Sequence, residues 1–313
     1  MYSNKAPGSN NQQIEPTKKA TKEDTNPNAV LKQIAANYVK IDPAALPKAK
    51  KIVEQFIRKK LIDAMKEVDL LFKVMFRNIY YTGSFFDGLR IENPNEFDLN
   101  IVLDLKLPKQ SFKLVKNGLC SAGYVQLQVD NPERTVSMNM PMSGLVQNLM
   151  TLLKKSSDHD KYFFMPAAVR KWITGVVDKA LNKLKNENLH GIGILKVCRT
   201  ISGPATTLKV KLEDSQTIDI DLVPVFAFNP KNLAFYDRIW RNIDTSEGGP
   251  HWLQGHQSKF QKAVRTALGN EFFIVPKPSL NLDSEWRLDF HDPEIKIIDN
   301  IGCAKPVIKF LKV

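Results

Sequence analysis

The sequence predicts an α+β fold: a lobe built on a mixed β-sheet with a long spine helix, followed by a mostly helical C-terminal lobe. Three observations predict it. A helical apolar period runs from about Pro43 to Arg77. Strand-like segments are then mixed with helical ones without a regular βαβ repeat. No G-x-G-x-x-G and no P-loop sequence occurs, which argues against a dinucleotide-binding fold or a Walker ATPase.

In chain order, residues 1–28 are rich in Asn, Lys and Pro and short of large apolar groups. Such a segment buries too little to order itself, so it reads as a disordered basic and polar tail. Residues 29–230 form the sheet lobe with its spine helix, and residues 231–313 the C-terminal lobe. In the spine, Ile52, Val53, Phe56, Ile57, Leu61, Met65, Val68, Leu71, Val74 and Met75 recur at helical spacing. The other face carries Lys50, Lys51, Arg58, Lys59, Lys60 and Lys66. That face is either simply solvated or a basic ridge that lies along a nucleic-acid backbone.

Strands are expected at NIYYT, EFDLNIVLDL, GYVQLQV, ILKVCRT, ATTLKVKL, TIDIDLVPVFAF and FFIVPKP. Helices are expected around Gly144–Leu153 and Ala167–Lys185, and over WRLDFHDPEIKIIDNI and KPVIKFLKV at the end.

The 313 residues carry a net charge of +12, which favours a polyanionic partner such as nucleic acid or nucleotide. The three cysteines, Cys120, Cys198 and Cys303, are odd in number and form no C-x-x-C pair, so a reducing compartment is expected. No apolar run reaches membrane-spanning length and the N-terminus lacks a signal-peptide core. No membrane association is expected. The reading is cytoplasmic, with the nucleus an open alternative.

The chemistry lies in the acidic strands. In a strand, residues i and i+2 share a face, so Glu96 and Asp98 point together while Phe97 and Leu99 point the other way. Two neighbouring carboxylates repel, and burying them unpaired is costly; a divalent cation removes both problems. Hard oxygen ligands suit Mg²⁺ or Mn²⁺. Asp219 and Asp221 form a second such pair in TIDIDLVP. If the two strands are neighbours, three carboxylates could hold two metals, the machinery of nucleotidyl transfer. Gly83-Ser84 supplies a phosphate grip: Gly permits close backbone approach, and a helix expected to begin at Ser84 would offer free N–H groups.

These residues resemble the nucleotidyltransferase pattern of G-S, then [DE]-x-[DE], then a distal acid. More narrowly, GSFFDGLRIENPNEFDLNIVL, DIDLVPVF and WRLDFHDPEIKII resemble the Mab family and, within it, the cyclic GMP-AMP synthase-like receptors of animals, with wording similar to arthropod members. The resemblance implies a nucleotidyltransferase fold, with residues 29–230 as its catalytic lobe. It implies Glu96, Asp98 and Asp221 as catalytic metal ligands, with Asp219 the alternative to Asp221. It implies nucleotide contacts from Thr82, Gly83, Ser84, Asp221, Arg287, Glu294 and Lys312. It further implies ATP and GTP as substrates, a cyclic dinucleotide (cyclic GMP-AMP) as product, and a role in innate antiviral signalling.

Vertebrate members carry a His/Cys zinc insert. Here only Cys303 lies between Glu294 and Lys312, and His251 and His256 have no cysteine nearby. No zinc is expected. The trigger implied is then double-stranded RNA, bound by Lys50, Lys51, Arg58 and Lys59, with oligomerisation on RNA left open. Family members continue beyond the position of Val313, so the C-terminal lobe is expected to be incomplete. Two other readings stand beside this one: a catalytically silent Mab-family binding or scaffold protein, and a template-free polymerase such as an oligoadenylate synthetase.

Overall fold

The computed structural model describes residues 33, 45–90, 95–132, 143–156, 161–185, 187, 189–229, 271–300 and 304–311. The tail at 1–28, His251, His256, Cys303 and Lys312 lie outside the described residues.

The spine starts as helix α1 (Ala45–Ile52) and continues as a π-helical segment (Val53–Leu61) and helix α2 (Ile62–Val68). The wider turns show in the i→i−5 bond from the Ile62 N–H to the Ile57 carbonyl. Asp69 then takes an extended conformation (φ −145°, ψ 113°), ending α2 and capping α3 (Leu70–Met75) by accepting the Phe72 N–H at 2.8 Å. The apolar stripe read from the sequence is the buried face: Phe56, Ile57, Leu61 and Met65 are fully enclosed. It packs against a second long helix, whose buried stripe is Val169, Ile173, Val176, Val177, Ala180 and Leu184.

Among the described residues the strands form one branched sheet of eleven. They are β1 (Phe76–Thr82), β2 (Glu96–Leu103), β3 (Phe112–Val115), β4 (Tyr124–Asp130), β5 (Leu153–Lys155), β6 (Lys161–Phe164), β7 (Ile194–Ser202), β8 (Ala205–Leu212), β9 (Thr217–Phe228), β10 (Phe272–Val275) and β11 (Glu285–Asp289). Among the described residues, the remaining α-helices are a single turn α4 (Gly83–Phe86), then α5 (Ser143–Met150), α6 (Pro166–Leu184), α7 (His291–Asn300) and α8 (Ala304–Leu311). The path runs β1-β2-β9-β10-β11-β4-β6-β5, with β3 on β4 and the β7–β8 pair attached to β9. β9 is long enough to be shared: its first half pairs with β8, its last residues with β10, and its other edge with β2 in parallel.

The two faces of the sheet differ. One face buries Phe97, Leu99, Ile220, Leu222, Phe226 and Trp286 in the main core under α6 and the spine. At about 25 cal/mol per Å² of apolar area removed from water, such side chains dominate the stability. The other face carries the carboxylates at one end and a small apolar floor of Val102, Val225 and Phe273 at the other.

Two sequence expectations are corrected. Trp286-Arg287-Leu288 is strand, not helix: Trp286 is wholly buried, donates its indole N–H to the Phe164 carbonyl at 2.9 Å and sits edge-on to Phe226, while Arg287 points the opposite way. The helix begins only at His291, after an Asx turn in which Asp289 accepts the His291 N–H. Likewise the helix expected at Ser84 is only one turn, too short for an N-terminal dipole to build up. Within 231–313, β10 and β11 are members of the common sheet, and α7 and α8 follow them.

Candidate active site

The parallel pairing of β2 with β9 sets Asp98 directly beside Asp221 and Glu96 beside Asp219. Carboxylate oxygens of Glu96, Asp98 and Asp221 all lie within 4.8 Å of one another. Period-2 alternation keeps Phe97 and Leu99 in the core while Glu96 and Asp98 face outward, so the strand is half core and half site.

β1 closes the other side. Thr82 is opposite Asp98 and donates its hydroxyl to the Asp98 carbonyl at 3.2 Å. The chain then turns at Gly83, whose φ of +83° lies in the left-handed region. A Cβ at Gly83 would overlap the Asp98 carboxylate oxygen and lie 2.9 Å from its Cγ, so the turn rests directly on that side chain. Ser84, half-buried, follows, and its carbonyl accepts the Leu89 N–H at 2.8 Å.

Asp98 is pushed up to about 6, first by its burial and then by the negative charges of Glu96 and Asp221. Because the folded value exceeds the unfolded one, the folded state binds more protons between about pH 4 and pH 6. Stability therefore falls as pH rises through that window. Without divalent cations, Asp98→Asn is expected to flatten this part of the pH profile and to melt above the parent at pH 7. Thermal unfolding in chelator at pH 4.5 and pH 7 measures it; parallel profiles for parent and variant would refute it. The donor set fits Mg²⁺ or Mn²⁺: three convergent carboxylates, hard oxygens, and a crowding of negative charge that a dication relieves.

Residues not singled out as site residues in the sequence complete the pocket. The Thr207 hydroxyl on β8 donates to Asp221 at 2.5 Å, fixing that carboxylate. The register was in principle legible: a short turn at 213–216 joins β8 to β9 and places Thr207 opposite Asp221. Asp87, just after the Gly83 turn, is 3.0 Å from His291 Nε2, and Tyr80 donates to Asp292 at 3.2 Å. Both contacts fasten α7 over the site face. Between that helix and the floor lies a cavity of about 330 Å³ lined by Tyr80, Val102, Phe273 and Asp292 among others.

Strand registers β9–β10–β11 carry the same face across to Arg287 and Asp289, so Arg287 shares the sheet face of the carboxylates, two strands beyond β9. Glu294 is exposed in the first turn of α7. Lys50 and Lys51 on α1, and Arg58 and Lys59 on the π-helical segment, are exposed on the spine, with Arg58 3.5 Å from Glu54. No helix among the described residues is long and apolar enough to cross a membrane.

Residues 85–300 match the Mab-21 protein nucleotidyltransferase domain. The chain is 31% identical over 292 residues to a cyclic GMP-AMP synthase-like receptor of Aethina tumida, covering 90% of this chain and 64% of that protein. It is 28% identical over 295 residues to a protein of the same name from Tribolium castaneum, covering 90% and 66%. It is 30% identical over 300 residues to one from Ctenocephalides felis, covering 91% and 62%. The chain thus spans a little under two thirds of the length of these curated relatives.

Proposed function

The chain belongs to the Mab-21 nucleotidyltransferase domain family, and from that premise we propose that it joins ATP and GTP into a cyclic dinucleotide when double-stranded RNA binds its basic spine. The observation that carries the reading is the convergence of Glu96, Asp98 and Asp221 beneath the Gly83 turn. Glu96, Asp98 and Asp221 would hold two divalent cations, which lower the pKa of an attacking hydroxyl and offset the charge of a departing pyrophosphate.

The chain's own groups do the rest. Thr207 donates its hydroxyl to one oxygen of Asp221 and so restrains the orientation of that carboxylate. Gly83 and Ser84 present backbone to the phosphates at the closest approach the turn allows. Arg287, planar and always charged, suits a base edge or phosphate of the acceptor nucleotide on the same sheet face. Glu294 on α7 and Lys312 are the remaining nucleotide contacts of the proposal, and Asp219, paired with Lys209, stays outside the ligand set. A cyclic GMP-AMP product links the protein to innate antiviral signalling in the cytoplasm.

The test is incubation with ATP, GTP, Mn²⁺ and duplex RNA, followed by a search for a phosphatase-resistant dinucleotide. Its absence with every duplex, while nucleotides bind normally, would favour a silent binding protein. A ladder of linear oligoadenylates instead of a cyclic product would favour the polymerase reading.

The RNA arm has its own expected result. An A-form duplex is read through backbone and shape, so affinity should depend on salt. Changing Lys50, Lys51, Arg58 and Lys59 together to Glu is expected to weaken duplex binding at least about tenfold. The same change should make the slope of log K against log [salt] shallower by up to roughly 0.9, the B-form duplex value, for each phosphate no longer neutralised. Fluorescence anisotropy at several salt concentrations measures both; an unchanged slope would place the RNA elsewhere.

A further inference from the structure

The registers of β2, β9 and β8 arrange the site face in two rows. The first runs Thr82, Asp98, Asp221, Thr207; the second runs Glu96, Asp219, Lys209. Asp219 is therefore a fourth carboxylate on the ligand face, directly beside Glu96. Yet the two β9 acids have different partners on β8. Asp221 accepts a hydroxyl hydrogen bond from Thr207, which orients it and leaves its charge in place. Asp219 meets the Lys209 ammonium at 2.8 Å, which neutralises it. Its backbone is also pinned, since the Asp219 N–H donates to the Asn95 carbonyl at 2.7 Å.

We propose that Lys209 is a positioning residue that holds Asp219 out of the metal set, leaving a three-carboxylate site selective for a small six-coordinate cation over Ca²⁺. The inference rests on the reading of Glu96, Asp98 and Asp221 as metal ligands. Its logic is ligand number. Mg²⁺ demands octahedral geometry, keeps several waters and is held by one or two carboxylates plus substrate phosphates; Ca²⁺ takes six to eight oxygens and rewards extra carboxylates. A fourth free carboxylate next to Glu96 would shift the site toward Ca²⁺. It would also saturate coordination positions that nucleotide phosphates must fill. Opposite charges facing each other across strands are a normal device for fixing a side chain. The alternative is an ordinary surface pair that contributes little, which exposed pairs often are. The groups facing Asp219 from the neighbouring strands are Glu96 on β2 and Lys209 on β8, so removal of Lys209 leaves two acids side by side.

Calorimetric titration of the nucleotide-free protein with Ca²⁺ and with Mn²⁺ separates these cases. Lys209→Met is expected to raise Ca²⁺ affinity about tenfold, and more than it raises Mn²⁺ affinity. The added change Asp219→Asn should remove that gain, and Lys209→Arg should behave as the parent. Asp219→Asn alone should leave metal affinity unchanged. Lys209→Gln serves as a second charge-removing variant should Lys209→Met fold poorly. Unchanged Ca²⁺ affinity in both overturns the inference, as does a loss of Mn²⁺ affinity in Asp219→Asn alone. Parent-like metal affinity in Glu96→Gln overturns the three-carboxylate reading, and this inference with it. A loss there, with Lys209→Met and Lys209→Gln both unchanged, overturns only the role of Lys209.

Discussion

Asp98→Asn is expected to lower cyclic dinucleotide formation by about 10³-fold or more, with Glu96→Gln close behind. Both substitutions keep side-chain shape, so packing is a small part of the loss. What changes is charge. Three carboxylates within 4.8 Å of one another gather enough negative potential to concentrate dications, and removing one charge weakens the site for both ions it would hold. Asp98 is the more sensitive because it stands between Glu96 and Asp221 and lies under the Gly83 turn, whereas Glu96 is exposed at the start of β2. Duplex RNA affinity should stay at the parent level, because Lys50, Lys51, Arg58 and Lys59 belong to the spine. Product formation with ATP, GTP, Mn²⁺ and duplex RNA, alongside RNA anisotropy, gives both readouts. Full activity in Asp98→Asn would sink the site assignment; RNA affinity falling in step with activity would mean the variants had unfolded the sheet.

The sequence exposed the acids but not their geometry. Glu96-x-Asp98 and Asp219-x-Asp221 stand out because carboxylates interrupt apolar alternation, a local signal that period 2 makes readable. Which β9 acid joins the β2 pair is not local. It depends on a parallel register between strands more than a hundred residues apart, and on Thr207 and Lys209, whose pairing with β9 gives the two acids different partners. The Trp286-Arg287-Leu288 segment reads as helix in the sequence for a related reason. The helical period of HDPEIKII extends back into it by pattern alone, while burial of Glu285 and Trp286 and pairing with β4 and β10 override that preference. Strands β3, β5 and β6 span three or four residues each, too few for a period to register. The spine was legible because its stripe is long, and its break at Asp69 could be read only from the cap geometry.

Gly83→Ala is the second large expected effect, and it separates two functions of one glycine. The backbone there has φ +83°, where a side chain costs roughly 1–2 kcal/mol. Independently, the new Cβ would overlap the Asp98 carboxylate and lie 3.1 Å from its Cβ, which the pairing of β1 with β2 does not let move far. Either the carboxylate swings out of the site or the strands part. The expected result is a loss of stability of about 1–3 kcal/mol together with a fall in activity and Mn²⁺ affinity of at least about 10²-fold. Gly83→Asn tests the backbone half, since Asn tolerates the left-handed region: it should recover part of the stability but none of the metal affinity. Adding Asp98→Ala to Gly83→Ala tests the other half. With the overlapping carboxylate gone, the double variant should be more stable than Gly83→Ala alone while recovering none of the Mn²⁺ affinity, and thermal unfolding with calorimetry reads both. If Gly83→Ala binds Mn²⁺ as the parent does, the turn does not hold Asp98 in place for the proposed metal site.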